Sequence, residues 1–160
     1  LMEKQIRELI DENSEAKEGY KLILKARLYD LAGILLRYMP KIEYSLEEES
    51  RQREKLQKLD RVFQYVEKNY ENHIDLDQIA KVSGFSKYYF TRFFKENAGM
   101  TFLDYLNNFR ITKAEWYLMD REDSIIEVAY KSGFNSVKSF NRVFKDLKGC
   151  APMEYRKAVK

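Results

Sequence analysis

LDQIAKVSGFS, residues 76–86, recurs as IIEVAYKSGFN, residues 125–135, a displacement of 49 positions. After one inserted residue in the second copy the match resumes, with Phe90, Arg92, Phe94, Lys95, Gly99 and Tyr105 corresponding to Phe140, Arg142, Phe144, Lys145, Gly149 and Tyr155. Agreement of this length at a nearly fixed offset marks a repeated supersecondary unit. In each copy apolar residues fall three and four apart (Leu76, Ile79, Ala80; Ile125, Val128, Ala129), which predicts a helix. Ser83-Gly84-Phe85 and Ser132-Gly133-Phe134 follow it. The glycine supplies the left-handed backbone that ends the helix and the phenylalanine is expected to plug the corner. Ser86 in one copy, and Asn135 or Ser136 in the other, caps the next helix. Helix, tight turn and helix at a steep angle make a helix-turn-helix unit, present twice.

Working outward, Asp75 with Gln78, Thr101 with Asp104, and Ser124 with Glu127 stand at capping-box spacing and place three helix starts. Between the copies, Phe102 to Met119 carries neither Gly nor Pro, and Leu103, Leu106, Arg110, Ala114, Tyr117 and Leu118 keep near-helical spacing. One rigid helix is expected there, about 27 Å long at 1.5 Å per residue, comparable with the roughly 34 Å between successive major-groove faces. Upstream, Leu56, Leu59, Val62, Phe63, Val66 and Tyr70 form an amphipathic stripe that should cover the first unit, and Pro152 opens a closing helix. The fold class is all-α: two helix-turn-helix units bridged by a long central helix, with an N-terminal helical appendage.

The appendage has its own character. From Glu15 to Met39, residues Tyr20, Leu22, Ile23, Leu24, Ala26, Leu28, Tyr29, Leu31, Ile34, Leu35, Leu36 and Met39 are apolar on most faces of a helix. One partner helix cannot cover so much, which points to self-association or to packing on another domain. The polar run SLEEESRQREK, Ser45 to Lys55, reads as a linker or a solvated helical connection. The expected organisation is therefore a helical dimerisation segment (1–44), a linker (45–55) and a tandem helix-turn-helix DNA-binding domain (56–160).

Composition narrows the function classes. The 160 residues are 44% apolar with only 2 Pro and 6 Gly, which suits a helical chain with a real core. The net charge of +3 is uneven: residues 1–55 hold 11 Lys/Arg against 12 Asp/Glu, and the remainder holds 18 against 14. A single cysteine, Cys150, excludes an internal disulfide and a multi-cysteine zinc site, and fits a reducing compartment. Without a membrane-length apolar run or a secretion signal, a cytoplasmic protein is expected. The chain opens at Leu1 rather than Met, so a domain upstream of it, absent from this chain, is expected.

The motifs IAxxxGFS…FxRxFK, then RxxxAxxxL (Arg110, Ala114, Leu118), then VAxxxGF…FxRxFK…G and PMEYR, spanning about Lys58 to Arg156, resemble the AraC/XylS family of bacterial transcription regulators. That resemblance implies a sequence-specific regulator of double-stranded promoter DNA, an activator working with RNA polymerase, dimeric through Glu15 to Met39. It carries the base-reading positions onto the second helix of each unit: Lys87, Tyr88, Thr91 and Arg92 in the first, Val137, Lys138, Ser139, Asn141 and Arg142 in the second. The chemistry agrees, since a recognition helix offers its N-terminal residues to base edges and Arg can hold guanine O6 and N7 bidentately. Lys95 and Lys145 fall where phosphate contact is expected. Ala151 departs from the family's usual Ser or Thr cap, and Val137 is unusually apolar for a groove-facing position.

Phe85, Phe90, Phe94, Phe134, Phe140 and Phe144 would suit a base-stacking platform, but their helical spacing says core. Surface ion pairs are the alternative for Arg92, Arg142, Lys87 and Lys138; recurrence after the turn in both copies favours DNA for the arginines. His73 stands alone in a polar connection and cannot build a metal site. An alkyl-transfer or recombinase enzyme on such units would need an activated cysteine, another nucleophile or a carboxylate metal cluster. Cys150 has no nearby His and the acids are scattered, so no enzyme, cofactor or metal is expected.

Overall fold

The computed structural model describes residues 2–15, 17–38, 45–119 and 123–159, and every regular element among them is a helix. The chain divides into two compact units, Leu1–Ser45 and Leu46–Lys160.

In the first unit, α1 (Met2–Glu15) packs against α2 (Tyr20–Tyr38). Gly19, at φ 80°, turns the chain between them, and Glu8 of α1 forms an ion pair with Arg27 of α2. No residue of α2 is buried. Leu22, Leu28, Tyr29, Leu36 and Tyr38 are each more than half exposed. Ala16 and Met39, inside the segment expected to be apolar on most faces, lie outside the described residues.

The second unit opens with α3 (Leu46–Asn69), a helix that contains most of the stretch read as a linker or a solvated helical connection. Nothing from Leu46 to Asn69 breaks a helix, and Ser45 and Glu48 stand at capping-box spacing. Its first turns are exposed and burial begins at Leu59. Then come α4 (Leu76–Ser83), α5 (Lys87–Ala98), α6 (Phe102–Met119), α7 (Ile125–Lys131), α8 (Val137–Lys148) and α9 (Pro152–Ala158).

The cap chemistry follows the sequence with two refinements. Asp75 and Gln78, and Ser124 and Glu127, form reciprocal capping boxes. Thr101 accepts from the Asp104 backbone N–H, but Asp104 returns its carboxylate to the Thr101 hydroxyl, at 2.6 Å, rather than to a backbone N–H. In the second copy the cap of α8 is Ser136, not Asn135, so Asn135 is the inserted residue and the unit lengthens within its turn. Ala151 gives α9 no side-chain cap; its own N–H donates to Glu154 at 2.8 Å, and Pro152 occupies the first helical position.

Two cores form. The first gathers Leu59, Val62 and Val66 of α3, Ile79 of α4, Phe90, Phe93 and Phe94 of α5, and Phe102 and Leu106 of α6. The second gathers Ile111, Ala114 and Leu118 of α6 with Val128, Ala129, Phe134, Phe140, Val143 and Phe144. One helix serves both because its buried row, Phe102, Leu106, Arg110, Ala114 and Leu118, recurs every four residues. Four residues turn the helix by about 400°, so the row drifts about 40° at each step and leaves one core for the other. Leu103, expected on this stripe, is off the row and exposed. Of the phenylalanines expected in the core, five are fully inside, whereas Phe85 is half-buried against Tyr89 and Phe93 beneath the Lys58 ammonium.

Candidate nucleic-acid interface

Helix α5 buries Phe90, Phe93 and Phe94 in the first core. What remains outward is the set Lys87, Tyr88, Thr91, Arg92 and Lys95, all exposed. At about 100° per residue these positions fall within roughly 140° of arc, so they form one continuous face. The Ser86 side chain starts the helix by accepting from the Tyr89 N–H, and Gly84 at φ 73° turns the chain ahead of it. Tyr88, at 82% exposure, is a large ring with no core role.

Helix α8 repeats the arrangement. Phe140, Val143 and Phe144 are buried, while Lys138, Asn141, Arg142 and Lys145 are exposed on the corresponding face. Two positions behave differently. Val137 is half-buried and packs against the second core, so part of its apolar side chain is already used in folding. Ser139 is half-buried, and its N–H donates to the Ser136 cap.

Each arginine on these faces is held one helical turn from a carboxylate, Arg92 Nε to Glu96 at 2.7 Å and Arg142 Nη1 to Asp146 at 3.6 Å, and Lys87 Nζ reaches Asp77 at 3.0 Å. The surface-pair reading of these side chains therefore describes the isolated protein. It does not compete strongly with DNA, because exposed pairs of this kind contribute only about 0–1 kcal/mol. The hydrogen bond to Glu96, then its charge, raises the Arg92 guanidinium above its ordinary value, so it is cationic at any working pH. Among the described residues, Lys95 and Lys145, the pair expected on phosphate, have no carboxylate within ion-pair distance.

Tertiary packing adds residues that the repeat did not mark. Lys55 of α3 shares an open hollow with Tyr88, Tyr89, Arg92 and Glu96. Asn107 and Asn108 of α6 line another with Arg142 and Asp146. No periodicity within α3 or α6 points to these neighbours, since only the docking of one helix on another brings them beside the arginines.

Elsewhere, His73 is exposed in the connection between α3 and α4, and Cys150 is half-buried in the turn before α9. Among the described residues no group of three or more His, Cys, Asp or Glu is placed to hold a metal ion, and no helix is long and apolar enough to cross a membrane.

A model of the helix-turn-helix domain family matches residues 79–158, half of the chain. The TetD protein of transposon Tn10 from Escherichia coli is 36% identical over 96 residues, covering 60% of this chain and 70% of that protein. Uncharacterized helix-turn-helix transcriptional regulators of Staphylococcus aureus match at 30% identity, over 13% of their own length. Two solved structures share the architecture. The DNA-binding domain of the global transcriptional factor AdpA, in complex with a target DNA, aligns at TM-score 0.60 and 27% identity, covering 62% of this chain and 90% of that one. A regulator with an AraC-type DNA-binding domain from Chromobacterium violaceum aligns at TM-score 0.59 and 26% identity, covering 64% and 91%. With the repeat, the two cores and the shared central helix, these matches show that the chain belongs to the AraC-type helix-turn-helix family of DNA-binding transcription regulators.

Proposed function

We propose that this regulator binds a two-part site on double-stranded promoter DNA, with α5 and α8 in major-groove segments on one face of the duplex. The observation that carries the reading is the recurrence, on the second helix of both units, of the same outward face ending in Arg and Lys: Thr91, Arg92 and Lys95 on one, Asn141, Arg142 and Lys145 on the other. Within that face Lys87, Tyr88, Thr91 and Arg92, and Lys138, Ser139, Asn141 and Arg142 with the accessible part of Val137, meet base edges, while Lys95 and Lys145 grip phosphate. Selection of bound duplexes from a random pool tests this. The expected product is a bipartite motif whose halves lie about one helical turn apart; a single compact motif contradicts the role of α8. Binding should also weaken steeply with salt, by about 0.9 in the log-log slope for each phosphate neutralised, and a flat response contradicts duplex binding.

The output proposed is activation through RNA polymerase in the cytoplasm, governed by an effector-sensing domain upstream, as the family resemblance implies. Transcription from a promoter carrying the selected site, with and without the protein, distinguishes activation from repression. Residues 1–44 are proposed to hold a homodimer, 45–55 to connect, and 56–160 to bind DNA. The exposed Leu22, Tyr29 and Leu36 of α2, seven residues apart and so on one stripe of the helix, support the dimer, because an apolar stripe on a water-exposed helix favours burial against a copy of itself. By sedimentation, the full chain is expected as a dimer and a chain lacking residues 1–44 as a monomer. A full chain that stays monomeric at high micromolar concentration removes the claim.

A further inference from the structure

The two cores share α6, yet a helix that both units grip leaves each able to swing about the helix axis unless something ties them laterally. Arg110 stands at the midpoint of the buried row of α6 and is 8% exposed. Its Nε donates to the carbonyl of Tyr70 at 2.9 Å and its Nη2 to the carbonyl of Asn72 at 2.9 Å. Both carbonyls lie just past the end of α3, where the backbone has run out of helical donors. The turn of the second unit presses on the same point, since a Cβ on Gly133 would lie 2.0 Å from the Tyr70 carbonyl oxygen and 2.8 Å from Arg110 Nε. Beside it, the Tyr70 and Tyr117 hydroxyls are 3.1 Å apart, and Lys113 Nζ sits 5.5 Å from the Tyr70 ring centre. One guanidinium therefore joins the end of α3, the middle of α6 and the second unit's turn.

We propose that Arg110 is a positioning residue that sets the separation and rotation of the two reading helices, and so the spacing of half-sites that the protein accepts. The inference rests on the two-helix reading given above. A guanidinium suits the role because its planar fork holds two carbonyls at once, which the single ammonium of Lys cannot reproduce. One inserted base pair moves a half-site by about 3.4 Å and rotates it by about 34°, so a rigid pair of units should reject it and a loosened pair should tolerate it.

The test uses the full chain on duplexes that carry the two selected half-sites at the preferred spacing or changed by one or two base pairs, and on duplexes with one half-site. The unaltered protein is expected to favour one spacing by about tenfold or more. Arg110→Lys should reduce that preference to about threefold or less while changing single-half-site binding by less than about twofold. A general loss of folding would lower every duplex alike and leave the spacing profile intact. Tyr117→Phe, which removes only a hydroxyl from the same junction, should flatten the profile partially and serves where Arg110→Lys does not fold. An unchanged spacing profile in a folded Arg110→Lys, or in Tyr117→Phe where the former does not fold, overturns the proposal. Failure of the two-helix reading is separately visible, because the unaltered protein would then show no spacing preference.

Discussion

Gly133→Ala is expected to destabilise the second unit of the protein by more than about 3 kcal/mol, while Gly84→Ala, at the corresponding turn of the first copy, should cost only about 1 kcal/mol. Both glycines hold left-handed backbone, φ 88° and φ 73°, so the conformational strain of adding a Cβ is similar. They differ in surroundings: nothing lies within 4 Å of a Cβ at Gly84, whereas at Gly133 the Tyr70 carbonyl oxygen would be 2.0 Å away. That oxygen is backbone, held by Arg110, and cannot move aside without loosening a partly buried charged hydrogen bond. Against a total stability of about 5–15 kcal/mol the loss would be conspicuous. Urea unfolding of both variants measures the difference, and equal losses would mean that strain alone demands glycine at Gly133.

Arg92→Ala is expected to weaken binding to the preferred duplex by roughly tenfold to a hundredfold and to relax base choice at one or two positions. The loss should come from the complex, because the exposed pair with Glu96 contributes little to folding. Lys95→Ala, one turn further along the same face, should behave otherwise. A side chain that touches only phosphate weakens all sequences about equally, and its loss lowers the salt slope by about one unit. Affinities over a salt series on the preferred and a scrambled duplex separate the two. If Arg92→Ala proves as indifferent to sequence as Lys95→Ala, the assignment of reading and gripping to these residues fails.

The architecture was readable from local patterns because the repeat carried its own punctuation. Glycine followed by phenylalanine located both turns, capping boxes at Asp75 and Ser124 located α4 and α7, and the position of Arg92 and Arg142 after the turns located the outward faces. What escaped was set by tertiary contact. Arg110 was counted only as a motif residue on the α6 stripe, since nothing in its spacing says that a buried arginine there reaches carbonyls forty and thirty-eight positions upstream. For Ser45 to Lys55 polarity leaves a linker and a solvated helical connection both open; residues 46–55 belong to α3, whose first turns have no core to face. The same limit applied to Lys55, Asn107 and Asn108, which become neighbours of the arginines only when α3 and α6 dock. The family resemblance implies a groove-facing Val137, while the second core takes part of its side chain.

That two recognition helices read one duplex at separate places is tested by measuring the unaltered protein, Arg92→Ala and Arg142→Ala against every single-base variant of the selected site. Each substitution is expected to relax base preference at its own one or two positions, the two sets not overlapping and lying about one helical turn apart. Base preferences unchanged in both variants, or altered at the same positions, would contradict it.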